Sequence, residues 1–343
     1  MSENSSQMRR EVLEIPDAVD RLLCDGRGAI SACASAMRDL DPPFLSTVAR
    51  GSSDHVATYL KYVSELMMGV PVASIGPSVA SIYKAPLRLG GSASISVSQS
   101  GKSPDIVDLA AAAGKGGALT VAITNNTDSP LAETAAHCLD IHAGPELSVA
   151  ATKTFVTSAI AGLLLIAEWS KDDTLIAAIK ALPKALERAA RIDWPEVRNA
   201  LSGWDSLYTL GRGPAFAISN EAALKFKETA QIHAESYSSA EVLHGPVSIV
   251  GRGFPVLCFA SGDAAEAALV GVADEVADKG AAVFVTSDSA RRAQAIDHVR
   301  TDHALTDPIA LIVSFYAMVE KLATSRGIDP DTPRHLKKVT ETV

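Results

Sequence analysis

The stretch SISVSQSGKSPDIVDLAAAAGKGGALTVAIT, residues 94–124, contains a strand-like run, a helical run and a second strand-like run in succession. SISVSQS and LTVAIT are rich in residues that favour strands, whereas PDIVDLAAAAGK has the composition of a helix. Two strands connected by a helix lie parallel in one sheet. The stretch therefore predicts an α/β fold in which helices cover a parallel sheet.

The same pattern recurs with a shift of about 162 residues, where PVLCFA and AAVFVTS enclose the helical run AAEAALVGVADEVADKG. The pairs that correspond are Arg50-Gly51 with Arg212-Gly213, Ser100-Gly101 with Ser261-Gly262, and Ile123-Thr124-Asn125 with Val285-Thr286-Ser287. Two copies predict tandem domains, each a doubly wound parallel sheet flanked by helices. The predicted boundaries are an N-terminal helical segment at 1–39, a first domain at 40–170, a helical connector at 171–196, a second domain at 197–325 and a tail at 326–343.

The composition excludes several classes of protein. A net charge of -9 over 343 residues argues against a nucleic-acid-binding surface, which needs clustered Lys and Arg. The four cysteines form no C-x-x-C pair, so neither a zinc knuckle nor a dithiol motif is indicated, and scattered thiols fit a reducing compartment. The N-terminus lacks the apolar region of a signal peptide, and the apolar run Ala159–Ala167 ends at Glu168, too early for a membrane span. We expect a soluble, cytoplasmic protein without nucleic-acid or membrane partners.

The segment SQSGKS, residues 98–103, lies where the first strand of the quoted stretch leads into its helix. Backbone N–H groups at a helix N-terminus bind anions, and Ser98, Gln99, Ser100 and Ser103 add side-chain donors. The alternative is that these serines only cap the helix. The second copy has FASGDA instead, and we expect Asp263 to repel an anion there.

A second polar cluster lies in EAALKFKETAQIHAESYSSAEVLHGP, residues 221–246, which predicts an amphipathic helix and a loop behind it. Glu221, Lys225 and Glu228 have the spacing i, i+4 and i+7, so they share one side of a helix. A cation between two carboxylates keeps one of them ionised, as a general base requires. Apolar Ala223, Leu224, Phe226 and Ile232 are then expected to seat the helix on a core. The alternative for the charged residues is a salt-bridged face exposed to solvent.

Four blocks and the tail of this sequence resemble the sugar isomerase (SIS) family, in particular the isomerase half of glucosamine-6-phosphate synthase and the SIS-type glucosamine-6-phosphate deaminases. The matching segments are ARGSS at 49–53, SQSGKS at 98–103, ELSVAATKTF at 146–155, the ALKFKE, IHAE and E-x-x-HGP motifs within 221–246, and DTPRHLKKVTETV at 331–343. Similarity in the same order over about 290 residues is far more specific than a single short motif.

The resemblance implies roles for individual residues. SQSGKS matches the sugar-phosphate clamp, and Ser52, Ser53, Val149 and Ala151 match positions near the sugar. His244 matches the histidine that opens the sugar ring, and Glu228 the base that moves a proton between C2 and C1, with Glu221 and Lys225 beside it. Lys338 matches a lysine that forms a Schiff base with the open-chain ketose; Lys337 is the competing candidate. We interpret His233 as a packed helix histidine. Three departures are Lys102 in place of Glu, Ala151 in place of Ser and Arg50 in place of a small residue.

The implied activity is a phosphosugar isomerase and deaminase that converts glucosamine 6-phosphate to fructose 6-phosphate and ammonia without metal or other cofactor. Only about 40 residues precede the first copy, with no glutamine-hydrolysing domain, which favours deamination or the use of free ammonia. A fructosamine-6-phosphate deglycase and a non-catalytic sugar-phosphate sensor are the alternatives. The resemblance further implies a homodimer with shared active sites, because the HGP histidine reaches a neighbouring subunit, and a tail that folds over the site.

Overall fold

The computed structural model of the protein describes residues 5–338. It contains two compact units. Within the described residues, the first-sheet unit comprises 15–146, 153–180 and 336–338, and the second-sheet unit comprises 5–14, 147–152 and 181–335. Residues 1–4 of the predicted N-terminal segment and 339–343 of the predicted tail lie outside the described residues. The domain boundaries given above stay a prediction.

The first-sheet unit is built on five parallel strands: β1 (Leu45–Val48), β2 (Val72–Ser74), β3 (Ala93–Val97), β4 (Leu119–Thr124) and β5 (His137–Asp140). Their order is β2-β1-β3-β4-β5, so the chain moves first to one side of β1 and then to the other. In such a sheet the crevice at the carboxyl ends of β1 and β3 is the expected ligand position.

Helices precede, separate and follow these strands. In chain order they are α1 (Gln7–Arg21), α2 (Arg27–Leu40), α3 (Ser52–Met68), α4 (Ser78–Ser81), α5 (Pro104–Lys115), α6 (Pro130–Thr134), α7 (Lys153–Ser170) and α8 (Asp173–Ala189), with a π-helical turn at Leu22–Gly26. Helix α7 is buried along almost its whole length and packs against α2 and α3, so it is a core element of this unit.

The second-sheet unit repeats this arrangement. Its strands are β6 (Ser206–Gly211), β7 (His233–Ser238), β8 (Pro255–Cys258), β9 (Ala282–Val285) and β10 (Gln294–Ala295), in the order β10-β9-β8-β6-β7. Read from its other edge, this is the order of the first sheet. Its helices are α9 (Pro195–Ala200), α10 (Pro214–Ala230), α11 (Glu266–Asp278) and α12 (Asp307–Ser325), with short 3-10 turns at Glu241–His244 and Pro246–Ile249. The predicted fold, two doubly wound parallel sheets flanked by helices, is confirmed.

Backbone conformation supports the internal repeat at the turn after the first strand of each copy. Gly51 has φ 55° and ψ -133°, and Gly213 has φ 59° and ψ -138°. Both values lie in a region that is open to glycine and strained for other residues. Each glycine immediately precedes a 17-residue helix, α3 or α10. The two copies therefore make the same strand-to-helix turn.

The sequence interpretation was wrong about the segment after Lys227. Helix α10 ends at Ala230, because Gln231 takes the left-handed conformation with φ 53°, so Ile232 lies beyond the helix although it is buried. His233 is not a packed helix histidine. It is the exposed first residue of β7, an edge strand that pairs only with β6 among the described residues.

Helix α12 is long and apolar enough to cross a membrane by length and composition. However, 83% of its apolar window is buried inside the protein. Phe315 at its centre packs edge-to-face against Phe226 of α10. These contacts are those of a core helix in a globular domain.

Candidate functional site

A polar pocket lies at the carboxyl ends of β1 and β3, where the strand order of the first sheet reverses. Its volume is about 350 Å³. The lining includes Arg50, Gly51 and Ser53 after β1, then Ser98, Gln99, Ser100 and Ser103 after β3, and Lys338 of the tail. Ser52, the first residue of α3, adjoins this lining. The structure thus brings together two sequence blocks that are about 45 residues apart.

The serine hydroxyls of this pocket are not all used as helix caps. Ser103 occupies the N-cap position of α5, but its side chain makes no capping hydrogen bond. Ser98 Oγ accepts from the Gly101 N–H at 3.2 Å, and Ser100 Oγ accepts from the Lys102 N–H at 3.3 Å. Each of these two hydroxyls keeps its own proton to donate. The turn therefore offers three hydroxyl donors to an anion.

Gly101 is required at the centre of this turn. Its φ is 64°, and a Cβ atom there would lie 2.1 Å from Ser129 Oγ. The close approach keeps the turn tight against the end of the sheet. The turn can therefore present its hydroxyls at the start of α5, where the helix dipole favours negative charge.

Two cations of the first-sheet unit differ in their surroundings. Arg50 donates through Nε and Nη2 to Asp105 Oδ2, at 3.0 Å and 2.9 Å, and Asp105 is buried in the first turn of α5. This pair fixes the guanidinium at the rim of the pocket. Lys102 stands where the resembling family has a Glu. It is exposed and is not among the lining residues, so this difference does not change the lining of the pocket.

Lys338 is the lysine that the structure places at the pocket. Its Nζ donates to Glu146 Oε2 at 2.8 Å, and its side chain is 25% exposed. Lys337 is exposed and absent from the lining. Of the two lysines that the sequence left open, Lys338 has the geometry to reach a molecule bound by the serines.

In the second-sheet unit, Glu221, Lys225 and Glu228 form a buried ion cluster on α10. Lys225 Nζ lies 3.2 Å from Glu221 Oε1 and 2.5 Å from Glu228 Oε2. The Tyr316 hydroxyl of α12 donates to Glu221 Oε1 at 3.0 Å. The side chains of Glu221 and Lys225 are 0% exposed, which contradicts the alternative of a solvent-exposed salt-bridged face.

In this cluster, Lys225 stays charged and one carboxylate, that of Glu228, stays accessible to a ligand. Burial alone would lower the pKa of Lys225, but Glu221 and Glu228 outweigh it and hold the pKa above its usual value. Lys225 is therefore an ammonium throughout the physiological range. Glu228, whose side chain is 20% exposed, is the member of the cluster that a ligand can reach. The arrangement can support a carboxylate base that is held in place by a buried cation.

His244 lies at the end of the 3-10 turn Glu241–His244 and is exposed. Gly245 follows with φ 151° and ψ -54°, and the Tyr208 hydroxyl donates to the Pro246 carbonyl at 3.0 Å. The glycine and the anchored proline fix the direction of the turn. The imidazole is consequently presented outward from its own unit.

The loop that carries Val149 and Ala151 makes hydrogen bonds with two other segments of the second-sheet unit. The Val149 N–H donates to the Asp331 carbonyl at 3.2 Å. The buried Glu11 carboxylate of α1 accepts from the backbone N–H groups of Leu147 and Ser148 and from the Ser148 hydroxyl. A buried carboxylate that accepts several N–H bonds fixes a loop strongly. Val149 and Ala151 themselves are partly buried.

Sequence reasoning missed three residues that organise these sites: Glu11, Glu146 and Tyr316. Glu146 opens the ELSVAATKTF block, and its charge among small and apolar residues was the available signal. Tyr316 lies in an apolar helix and carries no local signal. Glu11 lies on the amphipathic helix α1, where an acidic residue normally faces solvent.

In the second copy, the turn that corresponds to SQSGKS already binds a carboxylate of its own chain. The Gly262 N–H donates to Asp307 Oδ2 at 2.7 Å, and the Thr301 N–H donates to Asp307 Oδ1 at 2.7 Å. Arg300 Nη1 lies 3.4 Å from the same side chain. Asp307, rather than Asp263 alone, therefore opposes an external anion here. Within residues 5–338, no group of three or more His, Cys, Asp or Glu side chains has the arrangement of a metal site.

Comparison with protein families matches the SIS domain to residues 45–168 and 200–324. A curated relative, the isomerizing glutamine–fructose-6-phosphate aminotransferase of Methanothermobacter thermautotrophicus, is 30% identical over 342 residues, which cover 96% of this chain and 56% of that protein. The chain thus spans about half the length of the curated relatives that it matches.

Two solved structures extend the comparison. A protein from Silicibacter pomeroyi DSS-3, provisionally named a phosphosugar isomerase, is 63% identical with a TM-score of 0.93, and 95% of this chain and 100% of that chain are covered. The C-terminal domain of glucosamine-fructose-6-phosphate aminotransferase from Francisella tularensis is 23% identical with a TM-score of 0.82, at coverages of 97% and 100%. At the lower identity the likeness shows the fold alone.

Proposed function

Because this chain belongs to the SIS-domain family, we propose that it is a phosphosugar isomerase and deaminase that converts glucosamine 6-phosphate and water to fructose 6-phosphate and ammonia. The observation that carries the proposal is the buried ion cluster on α10, in which Lys225 holds two carboxylates and only Glu228 reaches solvent. A single reachable carboxylate beside a permanent cation is suited to moving one proton.

The substrate phosphate binds to the hydroxyls of Ser98, Ser100 and Ser103 and to the start of α5. A pocket of about 350 Å³ lies within the range of small-molecule sites. The hydroxyl protons donate to phosphate oxygens, and the cations Arg50 and Lys338 lie in the same lining, each beside its own buried carboxylate. The second copy takes no phosphate, because Asp307 occupies the corresponding turn.

The reaction begins when His244 transfers a proton to the ring oxygen and opens the pyranose. Glu228 then removes the proton from C2 and returns it to C1, which leaves an imine at C2. Water adds to this carbon, and ammonia leaves as the ketone forms. In the reverse direction, the primary amine of Lys338 forms an imine with the ketose carbonyl before ammonia enters.

The protein acts in the cytoplasm as a homodimer whose subunits share active sites. The four cysteines are free thiols, as a reducing compartment maintains them. The outward presentation of His244 supports sharing, since this side chain is available to a neighbouring chain.

The test is incubation of the purified protein with glucosamine 6-phosphate, its N-acetylated and galacto analogues and fructosamine 6-phosphate, with assays for ammonia and ketose phosphate. Ammonia from glucosamine 6-phosphate, absent with Glu228→Gln, supports the proposal. Turnover of fructosamine 6-phosphate alone would assign a deglycase, and synthesis from fructose 6-phosphate with ammonium salts would assign an ammonia-dependent synthase. Binding without turnover of any compound would assign a sensor and refute the proposal.

A further inference from the structure

Glu146 is a buried carboxylate with hydrogen-bond donors from two separate parts of the chain. The Thr154 N–H donates to Oε1 at 3.1 Å and the Thr154 hydroxyl to Oε2 at 2.7 Å. Lys338 Nζ donates to Oε2 at 2.8 Å, and the Glu146 side chain is 0% exposed. A charge buried this deeply requires such partners.

The contacts with Thr154 explain the burial of Glu146 but not the contact with Lys338. Thr154 lies in the first turn of α7, and an acidic side chain at a helix N-terminus is a common stabilising feature. These two hydrogen bonds hold both carboxylate oxygens of Glu146 at the start of the helix, independently of the lysine. Lys338, by contrast, follows an exposed segment and has a long side chain with many rotamers.

We infer that Glu146 is a positioning residue for Lys338, which holds Nζ at the serine pocket and exchanges protons with it while the lysine forms an imine with a bound phosphosugar. The inference rests on the proposed function. Lys338 lines the same pocket as Ser98, Ser100 and Ser103, so an amine held there meets the carbon chain of a molecule whose phosphate the serines bind.

The proton balance requires an acceptor next to the lysine. The ammonium first gives a proton to Glu146, and the resulting amine adds to the carbonyl carbon as the carbonyl π electrons move to oxygen. The nitrogen of the adduct passes one proton to this oxygen, which becomes a hydroxyl group. Glu146 then returns its proton to that hydroxyl group, which leaves as water while the carbon–nitrogen double bond forms. One ammonium and one carbonyl thus give one protonated imine and one water. Oε2, at 2.8 Å from Nζ, is within hydrogen-bond reach for both transfers.

The neighbouring lysine supplies a comparison within the same segment. Lys337 is exposed and makes no ion pair with any other residue of 5–338. An amine without a fixed partner samples many positions and is rarely near a bound carbonyl. The geometry therefore gives Lys338 a reactivity that Lys337 lacks.

The experiment uses the full chain and the probe pyridoxal 5'-phosphate, which carries both an aldehyde and a phosphate. Imines are reduced with borohydride, and labelling of Lys338 and Lys337 is measured separately by peptide mass spectrometry as a function of pH. In Glu146→Gln, loss of the carboxylate should weaken Lys338 labelling relative to Lys337 labelling, because Nζ loses the charged partner that lies 2.8 Å away. The maximum rate of Lys338 labelling should fall about tenfold or more, because a hydrogen bond to a charged group is lost.

Three variants separate positioning from general structural damage. Thr154→Val removes one hydrogen bond at the same carboxylate but keeps the charge, so it should lower thermal stability while the rate of Lys338 labelling stays close to that of the wild type. Glu146→Asp keeps the proton acceptor and should restore most of the rate of Lys338 labelling that Glu146→Gln loses. Lys337→Ala should leave Lys338 labelling unchanged. An unchanged maximum rate in Glu146→Gln, or an equal loss in Thr154→Val at equal stability, would overturn the inference.

The probe also keeps this inference distinct from the proposed reaction. Labelling of Lys338 needs a phosphate site and a reactive amine but no isomerase turnover. If the wild type labels Lys338 through Glu146 but releases no ammonia, the proposed function fails and the inference stands. If ammonia is released and Glu146→Gln labels as the wild type does, the inference alone fails.

Discussion

Replacement of Lys225 by methionine tests whether the ion cluster on α10 is as buried as the structure indicates. Methionine keeps the length and apolar stem of the side chain but removes the ammonium that lies 3.2 Å from Glu221 and 2.5 Å from Glu228. Glu221 then keeps the Tyr316 hydroxyl of α12 as a neutral donor. Removal of one partner from a buried ion pair typically costs about 3 to 5 kcal/mol of unfolding free energy.

The pH dependence of this loss has a defined sign. Wild-type Lys225 has a pKa raised above the ordinary 10.5, so its contribution is complete below that pH and is lost only as the pH rises through the folded value. In Lys225→Met, the stranded carboxylate of Glu221 takes up a proton in the folded state. The variant should therefore be closest to wild type in mild acid and become less stable as the pH rises to neutral.

The assay is urea denaturation at pH 5 and pH 7.5, followed by tryptophan fluorescence. Lys227→Met is the matched control, since Lys227 is exposed on the same helix. Lys225→Met combined with Glu221→Gln should recover part of the loss, because the uncompensated buried charge is removed. A loss below about 1 kcal/mol, the value of an exposed pair, would refute the buried arrangement.

Three further predictions concern activity. Glu228→Gln should keep phosphosugar binding, lower kcat by roughly 10²-fold or more and abolish solvent deuterium entry at C1; near-normal turnover would return Glu228 to a purely structural role. Ser100→Ala with Ser103→Ala should raise KM for phosphorylated substrates and lower thermal stability only slightly, as Ser103 makes no capping bond and Ser100 accepts one exposed backbone N–H; an unchanged KM would contradict the phosphate site. Mixing inactive His244→Ala with inactive Ser100→Ala protein should restore activity after subunit exchange, since a symmetric dimer builds two composite sites; no recovery despite proven exchange would mean that each chain has a complete site.

The fold could be predicted from sequence because its signals are local and repeated. Strand-like and helical runs alternate along the chain, and the glycines at 51 and 213 mark the same turn in both copies. The segment after Ala230 was mispredicted because HAESYS has no apolar face of the kind that identifies a half-buried strand. Its place in the sheet comes from pairing with β6, which is a tertiary interaction.

The candidate site was predictable only in part, for a related reason. The spacing of Glu221, Lys225 and Glu228 fixes their proximity on any helix, but their burial depends on the packing of α10 against α12. The contact between Lys338 and Glu146 joins residues that are 192 positions apart. No local pattern encodes such a contact. The resemblance could therefore indicate Lys338 as the lysine that forms an imine, but the sequence could not identify Glu146 as its partner.

The two copies show how one fold yields a binding turn and a closed one. In the first copy, the turn after β3 keeps hydroxyl protons free, and Arg50 and Lys338, each paired with a buried carboxylate, lie in the lining of the pocket. In the second copy, the equivalent turn donates its Gly262 N–H to Asp307. Arg300 there binds the Ala260 carbonyl at 2.8 Å and the Glu266 carboxylate at 3.0 Å, and it lies 3.4 Å from Asp307, so it helps to hold the internal carboxylate in this turn. An external phosphate would have to displace an internal carboxylate and its hydrogen bonds there, whereas in the first copy the corresponding Gly101 N–H donates to the hydroxyl of Ser98. The same turn can therefore bind an external anion in the first copy, whereas in the second copy its N–H group binds a carboxylate of the same chain. The difference is set by side chains rather than by the fold.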